Sequence, residues 1–293
     1  MVLVVIKPIR IKMMCNWCSS KDLCEEFSNM CNRSKFSWNH IEMTWNDNNI
    51  DYYVIINSPQ AGDYYEEKKT FIFQMEPWVF DPQKHHGVKT WGYWSKPPST
   101  FLHINSHDKY LNGVQWWVKD FDQLNKTSDS ISCICSFKNF DIGHILRNNF
   151  IRYAENTIKM EIMGKENYHQ FNSYIGKLYQ NDKASGLCKY KYHFACENNS
   201  EKNYATEKIW DPLLCECLCF YWGCPNLEEY INPLAFVRLD LNDFEGSLQV
   251  IAKAIEEDLW SQRIDIIRSE KNKILNKLGF FPNLNNLINL NKR

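Results

Sequence analysis

The chain has 293 residues, with 34 basic and 35 acidic side chains, a net charge of −1, and 44% hydrophobic and 15% aromatic residues. So balanced a charge excludes a general attraction to nucleic acid or to an anionic membrane surface, and any phosphate site has to be local. The apolar content excludes a disordered chain, and the length suits two compact α/β domains.

Residues 1–14 hold an apolar run interrupted by Lys7, Pro8, Arg10 and Lys12. It falls short of the roughly 20 apolar residues that a membrane span needs, and it lacks the longer core and cleavage site of a signal peptide. Twelve cysteines without such a signal suit free thiols in a reducing compartment, so a soluble, cytoplasmic protein is expected.

Residues 2–6 and 9–14 read as strands, the second leading into Cys15-Asn16-Trp17-Cys18. The two cysteines have zinc-ligand spacing, but Cys24 and Cys31 do not repeat it and no histidine stands at ligand distance, which favours free cysteines. Residues 50–57 and 70–75 are further β-rich runs, separated by a polar stretch at 61–69 that reads as helix. This alternation predicts a parallel sheet with functional loops at its strand ends. Glu76 sits on such a loop, with Asp63 and Asp81 as neighbouring carboxylates. Residues 78–117 are rich in aromatics, whose flat rings either fill a core or stack on sugar faces. His85 and His86 are adjacent, so their side chains point apart, which disfavours joint metal binding.

Residues 120–130 are polar and read as a linker. Residues 131–137 then begin a new strand, 141–156 a helix carrying Gly143 and Arg147, and 160–163 a short strand. Residues 242–259 and 264–278 read as amphipathic helices, and the Asn-rich end as a fraying tail. The expected domains cover 1–125 and 131–262, with a helical tail over 263–293.

The densest signal lies in residues 189–240. Residues 192–195 read as a buried strand and 197–200 as the polar loop at its carboxyl end. Asn203 reads as an N-cap, with Thr206, Glu207 and Lys208 in the first turn of the helix it opens. A strand at 218–222 and a Gly-Pro turn follow. The unpaired N–H groups and positive dipole end of such a helix start suit a phosphate. Lys208 adds a mobile charge, and Glu207 an acceptor pair for ribose hydroxyls. Open α/β sheets bind ligands outside the carboxyl ends of their strands, so a nucleotide is expected here.

FACENNSEKNYATEKI, followed by FYWGCPN and LAFVRLD, resembles the donor-binding motif of the alpha-1,3-fucosyltransferases, glycosyltransferase family 10. The resemblance implies a GT-B-like α/β fold, two Rossmann-like domains facing a central cleft, the first binding acceptor and the second the nucleotide-sugar donor. It implies an inverting glycosyltransferase that moves L-fucose from GDP-fucose to a hydroxyl of an oligosaccharide or glycoconjugate. Arg147, in a strand-then-helix unit like the family's, is implied to grip the diphosphate with Lys208. Glu207 is implied to hold the ribose, and Asn198 and Tyr204 to line the donor pocket. Glu76, in a Met75-Glu76-Pro77 setting where the family has Gly-Glu-Asn, is implied to be the catalytic base that takes the proton of the attacking hydroxyl. Two cations on the leaving group can replace a metal, so neither metal nor cofactor is expected. Animal and plant members of the family carry an N-terminal anchor; this chain resembles the anchor-free kind. Two other readings stay open: a transferase using a different nucleotide 6-deoxyhexose on the same scaffold, and a non-catalytic glycan-binding module derived from it.

Overall fold

The computed structural model describes residues 7–80, 89–91, 97 and 99–291. The strand expected at residues 2–6, Asp81, and the His85-His86 pair lie outside them. The chain divides into two compact units, Met1–Gln115 with Lys277–Arg293, and Trp116–Asn276.

In the first unit, β1 (Ile9–Cys15), β2 (Ser37–Trp38), β3 (Ile41–Thr44), β4 (Tyr52–Ile56), β5 (Thr70–Phe73) and β8 (His103–Asn105) form one six-stranded sheet; β6 (Trp78–Phe80) and β7 (Lys89–Trp91) pair separately as an antiparallel ribbon. The strand order is β2-β3-β1-β4-β5-β8, parallel throughout except that β2 runs against β3. β4 and β5 are nearly continuous apolar runs, as parallel strands covered on both faces require. Ile11, Met13, Val54, Ile55, Phe71 and Ile72 are all fully buried. The polar stretch after β4 is not the expected helix. Gly62 takes φ +90° in a turn where the Asp63 carboxylate accepts the N–H of Gln60, and only Glu67–Lys69 coil, as one 3-10 turn.

The second unit holds β9 (Ser128–Ile134), β10 (Met160–Met163), β11 (Tyr174–Gly176), β12 (Tyr190–Cys196), β13 (Leu218–Trp222) and β14 (Phe236–Arg238). They pair entirely in parallel in the order β11-β10-β9-β12-β13-β14. The first helix of the molecule, α1 (Ser20–Phe27), belongs to the first unit; α2 (Ile142–Ala154), α3 (Glu207–Leu214), α4 (Phe244–Glu256) and α5 (Leu259–Lys273) belong to the second. Phe150 of α2 packs on Phe194 of β12 and on Phe244 of α4, with ring centroids 5.2 and 5.4 Å away, so helix and sheet close a single aromatic core.

The polar stretch at 120–130 is tied into the second unit. The N–H groups of Asn125, Thr127 and Ser128 donate to carbonyls of Cys188 and Lys189, and the Lys126 ammonium donates to the carbonyls of Leu187 and Tyr190. Those bonds move the division of the chain forward to Gln115/Trp116. The end of the chain also differs from the fraying tail expected of it. α6 (Phe280–Asn291) is a helix of the first unit, with Phe280, Phe281, Leu284 and Ile288 buried. Its Phe280 ring meets Phe27 and Phe73 at 4.9 Å each, and apolar contacts of this kind override the weak helix preference of an Asn-rich sequence. Phe280→Ala is expected to cost about 3–5 kcal/mol of stability, the range for emptying a phenylalanine site in a core, as read by chemical denaturation.

Candidate functional site

The carboxyl ends of β9 and β12 open onto a cavity of about 440 Å³ in the second unit. Its polar wall includes Ser136, Arg147, Asn181, Lys183, His193, Glu207, Lys208 and Asp211. Two helix starts frame it. At the first, Asp141 caps α2 through a reciprocal box with His144, and Gly143 donates its N–H to the Asn198 carbonyl at 3.0 Å. A Cβ on Gly143 would stand 1.8 Å from the Glu197 carbonyl oxygen, so only glycine lets the helix approach the strand end this closely. One turn further on, buried Arg147 donates through Nε to Asn148 Oδ1 at 3.1 Å and through a terminal nitrogen to the Lys138 carbonyl at 3.3 Å.

The second helix start is capped by Thr206, not by the expected Asn203. Thr206 is extended and its hydroxyl accepts the N–H of Lys208, whereas Asn203 takes the left-handed φ of 62°. The Asn203 side chain instead accepts from Asn226 and from the Tyr230 hydroxyl, fastening the loop to the turn after β13. Glu197, fully buried, accepts the N–H of Thr206 at 2.8 Å, its hydroxyl at 2.5 Å and the Tyr221 hydroxyl at 3.3 Å. The Lys208 ammonium lies 3.5 Å from Glu197, 3.4 Å from Glu207 and 3.1 Å from the Thr206 hydroxyl.

Electrostatics within the cavity follow from burial and these neighbours. Burial works to raise the pKa of Glu207, but Lys208 and Lys183 outweigh it and hold the carboxyl at about 2. Lys183, likewise desolvated, is kept protonated by Asp211 at 2.7 Å and Glu207 at 3.5 Å. His193, hydrogen-bonded to the Ser132 hydroxyl at 2.8 Å, is pushed down to about 3 by burial and by the charges of Lys183 and Lys126. His144 falls to about 4 through burial and the nearby Arg147, Lys208 and Lys138.

Of the residues singled out in the sequence, Arg147, Glu207 and Lys208 come together on the cavity wall. Asn198 and Tyr204 are not among the described lining residues. Asn198 spends its carbonyl on Gly143, and Tyr204 is 1% exposed. Glu76 belongs to the first unit, exposed on the loop after β5; its N–H and that of Met75 both donate to Asn57 Oδ1, which joins the loops following β4 and β5. Lys183, Asp211 and Glu197 escaped the sequence reading. Asp211 stands four residues after Glu207 on the same helix face, a spacing that could have pointed to it, whereas nothing local marks Lys183. Cys15 and Cys18 bring their sulfurs to 3.4 Å, and all twelve cysteines are free thiols.

The sequence model described as glycosyltransferase family 10 (fucosyltransferase), C-terminal, matches residues 125–257. The cavity-bearing unit is a family 10 domain. Over 73 residues the chain is 32% identical to alpha-(1,3)-fucosyltransferase B of Drosophila melanogaster, a match spanning 25% of this chain and 16% of that relative. A crystal structure of an alpha1,3-fucosyltransferase with GDP superposes with a TM-score of 0.51 at 17% identity, covering 90% of this chain and 83% of that one. The two parallel-sheet α/β units are thus those of the GT-B fold, and the family 10 domain places Arg147, Glu207 and Lys208 at its strand ends. Among the described residues no helix is long and apolar enough to cross a membrane.

A histidine buried as the neutral base makes folding oppose protonation. The unfolded chain gains a proton below the ordinary value of about 6.5, while the family 10 domain takes none at His193 until about 3. Stability is therefore fully present above pH 6.5 and declines toward pH 3, and the decline is expected to be shallower in His193→Gln when denaturation midpoints of the two proteins are compared across that window.

Proposed function

We propose that this protein is an inverting fucosyltransferase that transfers L-fucose from GDP-fucose to a hydroxyl of a glycan acceptor. The observation that carries the reading is the pairing of Arg147 and Lys208 on one cavity at the carboxyl ends of β9 and β12, within a family 10 domain. A nucleoside diphosphate leaving group gathers negative charge as the glycosidic bond breaks. Two cations positioned on one cavity wall stabilise that charge more strongly than they stabilise the intact donor. Arg147 presents a planar fork suited to two phosphate oxygens, and Lys208 a compact charge at the start of α3, where the helix dipole acts in the same sense.

Glu207 accepts the ribose hydroxyls on the donor side. Glu76 takes the proton of the acceptor hydroxyl as its oxygen attacks the anomeric carbon from the face opposite the diphosphate. One carbon–oxygen bond forms, one breaks, GDP departs with the electron pair, and the anomeric configuration inverts. Charge neutralisation by the two side chains makes the transfer independent of metal, and GDP-fucose is the donor substrate rather than a resident cofactor. The acceptor is an oligosaccharide or glycoconjugate.

Arg147→Ala and Lys208→Ala are each expected to weaken GDP binding by about 1.5–3 kcal/mol, the loss of one charged hydrogen bond, measured by calorimetry. GDP affinity unchanged in both variants would rule out the diphosphate site. Glu76→Gln is expected to leave GDP affinity within about twofold of the wild type and to abolish fucose transfer in a product assay. Transfer at the wild-type rate by that variant removes Glu76 from the chemistry.

A further inference from the structure

The charged side chains of the donor cavity alternate in sign along α3. Lys208 lies between Glu197 and Glu207; Lys183 lies between Glu207 and Asp211. Both lysines approach the same oxygen of Glu207, Oε1, at 3.4 and 3.5 Å. Asp211 is itself pinned by the backbone. Its Oδ1 accepts the N–H of Trp117 at 2.8 Å and of Val118 at 3.1 Å, and its Oδ2 accepts from Lys183 at 2.7 Å.

We propose that Lys183, anchored by Asp211, is a positioning residue for ribose recognition: it holds the Glu207 carboxylate in the orientation that accepts the hydroxyls of the nucleotide's ribose. The inference rests on the nucleotide-sugar reading above. A glutamate at a cavity wall has three side-chain torsions to choose from, and an ammonium fixed in place selects among them. Lys208 cannot supply this by itself, because an arriving diphosphate competes for its charge. Lys183 is paired with a carboxylate that two backbone N–H groups already fix, so it stays where it is when the phosphates bind. The cavity thus divides two tasks between two lysines: Lys208 answers the leaving group, and Lys183 keeps Glu207 ionised and aimed. That Glu207 remains a strong acid despite its burial agrees with the assignment, since a protonated carboxyl would present one donor where two acceptors are needed.

The discriminating measurement is calorimetric binding of GDP and of dideoxy-GDP, which lacks the ribose hydroxyls. The wild type is expected to prefer GDP by about tenfold, the value of one hydrogen bond to a charged acceptor. Glu207→Ala should abolish that preference. Lys183→Met and Asp211→Asn should lose most of it while binding dideoxy-GDP within about twofold of the wild type, and Lys183→Arg, which keeps the cation, should retain it. Asn at position 211 still offers an oxygen to the two N–H groups, so that variant reports on the relay even where Lys183→Met folds poorly. A purely structural role for Lys183 would weaken both ligands equally. If Lys183→Met and Asp211→Asn keep the full preference while Glu207→Ala loses it, the inference is overturned and the nucleotide reading stands. A wild type that binds no GDP overturns both.

Discussion

A carboxylate with no access to water has to be compensated where it stands, and much of the donor side follows from how Glu197 meets that demand. An isolated charge in such a place costs several kcal/mol. Here it is met by the backbone and hydroxyl of Thr206, by Tyr221 and by the Lys208 ammonium. Satisfying Glu197 therefore decides where α3 starts, because the residue that serves it is also the helix cap. It decides where Lys208 points as well. The surrounding backbone is shaped to let the carboxylate in: Gly223 takes φ +156° against the Glu197 side chain, where a Cβ would stand 2.3 Å from Cγ, and Gly143 presses on the Glu197 carbonyl. Lys208 is thus positioned by a buried carboxylate of the protein itself.

The parallel sheets were legible because β-rich apolar runs alternate with polar segments, a pattern that survives without knowledge of partners. The observed Thr70–Phe73 and Tyr52–Ile56 fall inside the runs read from the sequence. Arg147, Glu207 and Lys208 were legible through an ordered motif. What the chain did not disclose was set by contacts distant in sequence. Asn203 and Thr206 are both good caps by residue type, and the hydrogen bonds from Asn226 and Tyr230 draw Asn203 out of the role. Lys183 acquires meaning only from Asp211 and Glu207, 28 and 24 residues later in the chain and turned toward it by α3. The Asn-rich segment after Lys277 looks like a poor helix in isolation, and becomes one because Phe27 and Phe73 offer its phenylalanine a place to be buried.

Two buried histidines near the cavity's charges are kept neutral. With Arg147, Lys183 and Lys208 already present, an imidazolium at His193 or His144 would repel them, and burial removes the water that could screen it. His193 instead spends a ring nitrogen on Ser132 of the neighbouring strand, at the register position directly opposite it. Both imidazoles therefore stay neutral over the range in which histidines ordinarily switch.

The placement of α6 bears on how the protein is made. A ribosome delivers the strands of the first unit early, yet the aromatic side chain that fills the gap beside Phe27 and Phe73 emerges only after all of the second unit has been synthesised. Domains generally fold in order of emergence. In this chain the later unit can mature first, while the earlier one waits, its sheet formed and part of its core open, for a helix more than 150 positions downstream of its last strand. Until that helix is made, the place beside Phe27 and Phe73 lacks the phenylalanine that fills it.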